Sequence, residues 1–281
     1  MFLLLLPAAS AQSPLPARRE AAQSAIRDVT FENVTVLSSD LQSQIVRSLQ
    51  SESRSWLGQQ SPEMLATFID QAVLQAYEDE GYWRAKVSTQ VTWVRGQGAG
   101  RQVDARISAI SEGKQYWIKD IRWSGATVFP EEVLARELPV HQWEFLDRSR
   151  LAAGMDSVRR LYVLRGYLAS SITPEMEFDD ATHNIILTLA VNEDKLFYFR
   201  NLSVEGLDRT TTRQLETGWA EMREQPYSEE KLRGFLQRSF SPQRLSGDPL
   251  DYSISDIDLD THTVDIQLSF DPVTQAEKTA Q

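Results

Sequence analysis

The chain has 281 residues and a net charge of −11, with 29 lysine and arginine residues against 40 aspartate and glutamate residues. This acidic balance argues against a general nucleic-acid-binding protein and against docking onto anionic lipid by charge alone. Because the chain contains no cysteine, disulfide frameworks, thiol catalysis, cysteine-ligated zinc and iron–sulfur clusters are excluded.

Residues 1–11 have the pattern of a secretory signal peptide. Phe2 to Leu6 form an apolar run, and Ala9-Ser10-Ala11 matches the A-x-A pattern at which a signal peptide is cleaved. The first positive charge is Arg18, so we expect the signal to start upstream of Met1; a frayed apolar terminus is the alternative. A membrane anchor is not expected, because a spanning helix needs about 20 apolar residues. Residues 12–24 are predicted to be a linker, and the mature chain is predicted to be exported.

A strand pattern that ends in a turn recurs three times along the chain. The copies cover 26–37, 118–129 and 199–206, and in each of them apolar and polar residues alternate before a glycine or asparagine. This is typical of a strand that leads into a helix. The turn glycines of the second and third copies are Gly125 and Gly206.

A second motif, Y-x-x-x-G-Y, recurs where a predicted helix ends. Apolar residues at helical spacing precede both copies. The glycine is expected to end each helix, because the left-handed conformation costs glycine nothing. The two copies consist of Tyr77, Gly81 and Tyr82, and of Tyr162, Gly166 and Tyr167.

Each motif is followed by a predicted hairpin. Its strands are 86–94 and 103–110 in the first unit, and 168–178 and 185–191 in the second. The unit is therefore predicted to be strand, helix, helix, strand, strand.

The third unit diverges from the other two. It keeps the opening strand and a second helix capped at Ser228, but it has a predicted loop at 240–249 in place of Y-x-x-x-G-Y. A final hairpin is predicted at 250–259 and 264–270.

This order of elements, together with Y-x-x-x-G-Y and the linkers at 112–118 and 193–199, resembles the POTRA domain. The resemblance implies an α+β fold of tandem β-α-α-β-β modules, each with a three-stranded mixed sheet and two helices on one face. The expected bounds are 25–113, 114–195 and a divergent 196–272, and the tail at 273–281 is expected to be disordered.

In the resembled family, such modules form the periplasmic arm of outer-membrane assembly proteins of the BamA/TamA superfamily. The resemblance therefore implies a non-catalytic periplasmic scaffold, located at the outer membrane, for the assembly and insertion of β-barrel proteins. Members usually carry a C-terminal barrel, and this chain ends nine residues after Pro272. We expect either a POTRA-only protein or a fragment or split form of a barrel-bearing one. A division-type protein is disfavoured, because it has one such module behind a membrane anchor.

Asp256, Asp258 and Asp260 are the nearest approach to a metal motif. A calcium loop of the EF-hand type would need glycine and glutamate where Thr261 and Gln267 stand. The wet face of a strand is therefore favoured, and a periplasmic calcium-binding or hydrolytic protein is the weaker alternative.

The remaining candidates for chemistry are ordinary surface features. The three histidines, His141, His183 and His262, have no second ligand at helical spacing. The glycines at 96, 98 and 100 fit a hairpin tip better than a phosphate loop, and no nucleophile motif is present. No enzyme activity, metal or cofactor is predicted.

The predicted binding mode follows from the sheet edges. A three-stranded sheet leaves edges open, and an open edge can accept a strand of another chain by β-augmentation. The expected partners are outer-membrane proteins or assembly components and unfolded β-barrel segments, without nucleic acid and with only indirect membrane association. The alternative is that these edges contact the next module. The predicted docking residues, on the first strand of each hairpin, are Lys86, Ser88, Gln90, Leu168, Ser170 and Ile172.

Overall fold

The structure is a computed structural model that describes residues 25–53, 61–94, 102–239 and 251–270. Over these ranges the order strand, helix, helix, strand, strand occurs three times, which confirms the predicted α+β class. We call the three sets modules 1, 2 and 3. The expectations for 1–11, 12–24, the glycines at 96–100, the loop at 240–249 and the tail lie outside the described residues.

Module 1 contains the longest described helix, α2. Ser61 caps its first turn by accepting a hydrogen bond from the Met64 amide at 3.3 Å, and Pro62 occupies the first helical position. Gly81 follows the helix with a φ of +82°. The elements are β1 (Ala25–Glu32), α1 (Ser39–Ser53), α2 (Pro62–Asp79), β2 (Lys86–Val94) and β3 (Gln102–Ser111).

Module 2 repeats this order with a shorter first helix. Asp147 caps α4 by accepting a hydrogen bond from the Arg150 amide at 2.9 Å, and Gly166 follows the helix with a φ of +96°. The elements are β4 (Trp117–Ser124), α3 (Glu131–Glu137), α4 (Arg148–Leu164), β5 (Ser171–Asp179) and β6 (Asn184–Asn192).

Module 3 keeps the order although it lacks the Y-x-x-x-G-Y motif. Asp208 caps α5 through the amides of Thr210 and Thr211, and Ser228 lies at the start of α6, as predicted. The elements are β7 (Tyr198–Glu205), α5 (Arg209–Trp219), α6 (Glu229–Ser239), β8 (Asp251–Asp258) and β9 (Thr263–Ser269).

Each sheet has the last strand of its module at the centre. The orders are β1-β3-β2, β4-β6-β5 and β7-β9-β8. The opening strand pairs with the central strand in parallel and the first hairpin strand pairs with it antiparallel, so the predicted mixed three-stranded sheet is confirmed. Every opening strand also carries a register shift near its start, around Arg27, Lys119 and Arg200.

One face of each sheet forms the core with the two helices. Alternate residues of each central strand point to this face and are almost completely buried. They are Val103, Ala105 and Ile107 in module 1, Ile185, Leu187 and Leu189 in module 2, and Val264, Ile266 and Leu268 in module 3.

The chain divides into two compact units. The first unit contains module 1 and extends to Lys114, except that residues 79–81 belong to the second unit. The second unit also contains modules 2 and 3. Within the described ranges, no helix combines the length and the apolarity needed to cross a membrane.

Candidate strand-docking edges and carboxylate clamps

The opening strands of modules 2 and 3 are partly covered on their outer edge. In module 2, the backbone N–H of Trp143 donates to the carbonyl of Ile118 at 2.7 Å, and the backbone N–H of Ile118 donates to the carbonyl of Glu144 at 2.8 Å. In module 3 the same pair of bonds joins residues 224–225 to Phe199, at 2.9 and 3.0 Å. A loop therefore occupies the start of both edges, which is one way in which proteins protect a sheet edge.

The first hairpin strand is the other edge of each sheet, and among the described residues β2 is the least protected of the three. Its sequence, KVSTQVTWV, has one charged residue and no proline. The predicted docking residues Lys86, Ser88 and Gln90 are exposed, whereas Thr89 is buried on the helix side. After a register shift between Lys86 and Val87, strand β2 therefore offers a regular edge from Val87 to Val94 that is rich in β-branched residues.

Strand β5 is an edge as predicted, but its chemistry is different. Pro174 lies in its middle, opposite Leu189, and has no N–H to give to a ladder. Glu175, Glu177 and Asp179 alternate along its exposed face. Proline and charge on an edge strand both disfavour pairing with a further strand.

Two of the residues predicted for this edge are in the wrong place. Strand β5 begins at Ser171, because the chain makes a turn after Gly166 in which Ser170 donates its N–H to the carbonyl of Tyr167. Ser170 is 2% exposed, and Leu168 lies in the hydrophobic core of module 3. The prediction that both lie on an exposed edge is therefore wrong. Ile172 lies in β5 and is half-buried against the core of module 2.

The acidic residues of β8 surround an arginine. The Arg200 guanidinium donates to Asp265 on β9 at 2.8 Å, to Asp256 at 2.5 Å and to Asp258 at 3.2 Å. The hydrogen bonds to Asp265 and Asp256 raise the pKa of Arg200, and the guanidinium lowers the pKa of Asp265. Among the described residues, no cluster of three or more histidine, aspartate or glutamate side chains could hold a metal ion. The Arg200 guanidinium thus supplies the positive charge that this acidic cluster surrounds.

Sequence reasoning missed Arg200 because it lies on β7, more than 50 residues before these aspartates. The available signal was its position in the repeat, where module 1 has Arg27, whose guanidinium binds Asp104.

A glutamate at the end of the central strand ties together distant parts of module 1. Glu112 accepts hydrogen bonds from the Thr35 hydroxyl, from the amides of Thr35 and Val36 at 2.8 and 3.0 Å and from the Tyr77 hydroxyl at 2.7 Å. Burial favours the neutral acid, but these hydrogen bonds outweigh it and lower the pKa of Glu112 to about 2. We call this arrangement the carboxylate clamp.

Module 2 has the same clamp. Glu193 accepts hydrogen bonds from the Thr127 hydroxyl, from the amides of Thr127 and Val128 at 2.6 and 2.8 Å and from the Tyr162 hydroxyl at 3.0 Å. The pKa of Glu193 is lowered in the same way, because the hydrogen bonds outweigh its burial. The first tyrosine of each Y-x-x-x-G-Y motif therefore joins the end of the second helix to the turn after the opening strand.

The turn glycines are required by close backbone contacts. A Cβ atom on Gly125 would lie 2.3 Å from the carbonyl oxygen of Val191, and one on Gly206 would lie 2.0 Å from that of Phe270. Both glycines have a positive φ, +75° and +84°, which disfavours any residue with a side chain.

Comparisons with known proteins support the fold and the repeat. The POTRA family model, described as a surface antigen variable number repeat, matches residues 116–194. A putative outer membrane protein assembly factor of Treponema pallidum (strain Nichols) is 26% identical over 159 residues, which are 53% of this chain and 18% of that protein. The chain thus matches about a fifth of the length of this relative.

A solved structure covers most of the chain. The crystal structure of POTRA domains 3–5 of Haemophilus influenzae BamA matches with a TM-score of 0.56 and 20% identity, over 92% of this chain and 99% of that one. The likeness shows a common fold. The chain is therefore a tandem array of modules with the POTRA fold, and its second module matches the POTRA family model by sequence.

Proposed function

We propose that this chain is a periplasmic, non-catalytic scaffold in outer-membrane protein assembly, and that the open edge of β2 binds an extended partner segment by strand addition. The single observation that carries the binding mode is this edge, with which no other described strand pairs and which is regular from Val87 to Val94. The role in assembly is supported by the POTRA match and by the relative named as an outer membrane protein assembly factor.

The three hairpin edges differ in what a docking strand would gain. On β2, about 27 Å of backbone from Val87 to Val94 can form ladder hydrogen bonds, because each residue of a strand adds about 3.4 Å. On β5, the ladder would lose a donor at Pro174. On β8, a register shift between Ile254 and Asp256 interrupts the edge, and carboxylates flank it. Strand addition is therefore most favourable at β2.

The faces of β2 indicate which partner segment fits. Val87, Val91 and Trp93 pack against the core of module 1, whereas Ser88 and Gln90 face solvent. A strand added beside β2 extends both faces, so it places apolar residues toward the helices and polar residues toward solvent. Alternating apolar and polar residues is the pattern of transmembrane β-barrel strands. We therefore infer that unfolded barrel segments are the partner class.

Site-specific photo-crosslinking in the cell that makes the protein tests this function. A photoreactive residue replaces Gln90 on β2, and the matched control replaces Glu175, which is equally exposed on β5. Capture of outer-membrane barrel proteins at Gln90 and not at Glu175 is expected. Crosslinks confined to this chain would show that the β2 edge is internal packing. Equal capture at both positions would overturn the choice of edge.

A further inference from the structure

An open cleft of about 1250 Å³ lies between modules 2 and 3, which belong to one compact unit. Its walls are helical. The last turn of α4 supplies Leu161 and Leu164, and Phe129 and Met222 add further apolar surface. Leu164 is 45% exposed, so part of this apolar surface faces water. The cleft is separate from the strand edges described above.

The wall formed by α6 is one face of that helix. Glu230, Gly234, Gln237 and Arg238 line the cleft at the spacing i, i+4, i+7 and i+8, which places them on a single side. The opposite side of α6 carries the buried residues of the module 3 core. Within the described part of the chain, this face of α6 is therefore available to a partner.

Because Gly234 has no side chain, it leaves a depression at the centre of this helix face. Glycine in the middle of a helix weakens it relative to alanine, so its presence in an 11-residue helix calls for a reason. A Cβ atom here would meet only the end of the flexible Arg238 side chain, at 3.3 Å. Packing among the described residues thus does not require glycine, whereas close approach of another helix would benefit from it.

The size and charge of the cleft select its occupant. A helix about 10 Å across and about 15 Å long, or roughly ten residues, fills about this volume. Glu230 lies in the first turn of α6 and Arg238 in the last, whereas the neighbouring Glu229 is paired with Arg233. A helix bound antiparallel to α6 places its first turn beside the last turn of α6 and its last turn beside the first. An acidic first turn and a basic last turn in that helix therefore complement both ends of α6, and this is also the charge order that a helix dipole favours.

The other cationic groups of the cleft have partners within the chain. Arg233 is bound to Glu229, Lys231 donates to the carbonyl of Pro226, and the Arg165 guanidinium lies 5.3 Å from the centre of the Phe129 ring. These interactions do not remove the charge difference between the acidic first turn and the basic last turn of α6.

We propose that this cleft is a docking site for an amphipathic helix of a partner protein, bound antiparallel to α6 with its apolar face on Leu161, Leu164 and Met222. Because the walls belong to two modules, the bound helix fixes their relative orientation. The site acts independently of strand addition at β2.

A constrained helical peptide of about 12 residues is the probe, with glutamates in its first turn, leucines at i, i+3, i+4 and i+7, and lysines in its last turn. The control peptide has the same composition with its end charges exchanged. Binding to the full chain is measured by fluorescence anisotropy. We expect the first peptide to bind at least tenfold more tightly than the control; equal binding, or none, would overturn the proposal.

Variants locate the binding. Gly234→Leu fills the centre of the cleft with a better helix former, so we expect at least tenfold weaker binding without a lower unfolding midpoint. Leu164→Glu is expected to weaken binding as well, whereas Gly218→Ala on α5, outside the cleft, should not. Self-association of the chain that Leu164→Glu abolishes would instead assign the cleft to a second copy. Changes at Gln90 should leave peptide binding unaltered, which separates this site from the β2 edge.

Discussion

The Tyr77 hydroxyl donates a 2.7 Å hydrogen bond to the carboxylate of Glu112, and this bond joins the end of α2 to the end of β3. The same carboxylate binds the amides that follow β1. The clamp in module 2 has the same three connections. Both clamps therefore hold the end of the second helix, the end of the central strand and the first turn together in one module.

We expect Tyr77→Phe to destabilise module 1 by about 1–2 kcal/mol, because a hydrogen bond to a charged group is lost from a buried side chain. Hydrogen exchange of the β3 amides measures the effect on this module. Tyr82→Phe is the matched control, since the Tyr82 ring packs edge-to-face on Tyr77 but its hydroxyl does not take part in the clamp. Equal effects of the two changes would contradict a role for the hydroxyl.

The clamp also predicts a pH dependence. The pKa of Glu112 is about 2 in the folded chain, below the ordinary value of 4.5, so the folded state binds fewer protons than the unfolded state in this window. The stabilisation is complete above about pH 4.5 and is lost as the pH falls toward 2. Wild type should exceed Glu112→Gln in free energy of unfolding at pH 7, and the difference should shrink over this range. A difference that is constant between pH 7 and pH 2.5 would show that the carboxylate charge is not involved.

Gly125→Ala should destabilise module 2 by about 2–4 kcal/mol, because alanine must adopt a positive φ and its Cβ atom would meet the Val191 carbonyl oxygen at 2.3 Å. Gly218→Ala is the contrasting change. Gly218 lies inside α5, where a Cβ atom finds its nearest neighbour at 3.4 Å, so alanine should raise stability by up to about 1 kcal/mol. Urea unfolding followed by tryptophan fluorescence would show opposite shifts for the two variants.

The repeat explains how much of the fold could be predicted. Glycine turns and alternating strands are local signals, and they predicted the order of elements, whereas the mixed sheets were expected from the resemblance to the POTRA domain. The start of β5 was misplaced because the alternation of Leu168 and Ser170 resembles a strand, whereas both residues are buried by contacts beyond their own hairpin. Arg200 could not be assigned to its aspartates for the same reason, since strand pairing and not chain position brings them together.

Arg200→Gln should expose the acidic cluster to its own repulsion. Asp256, Asp258 and Asp265 would then lack their common cation, and we expect a lower unfolding midpoint for module 3 that added calcium partly restores. Thermal unfolding with and without calcium chloride tests both points. In wild type, calcium should not change the midpoint, because the guanidinium already occupies the cluster. A calcium-dependent rise in wild type would instead support the calcium-binding alternative.

Pro174 provides the most direct test of edge selection. If the missing N–H is what protects β5, Pro174→Thr should make this edge accept a strand, because threonine restores the donor and favours extended backbone. Photo-crosslinking from position 175 in this variant is then expected to approach the capture seen from position 90. Thr173→Val, which keeps the proline and raises the β-propensity of the same strand, serves as the control and should leave capture low. If Pro174→Thr captures no more than wild type, the glutamates of β5 and not the proline protect this edge.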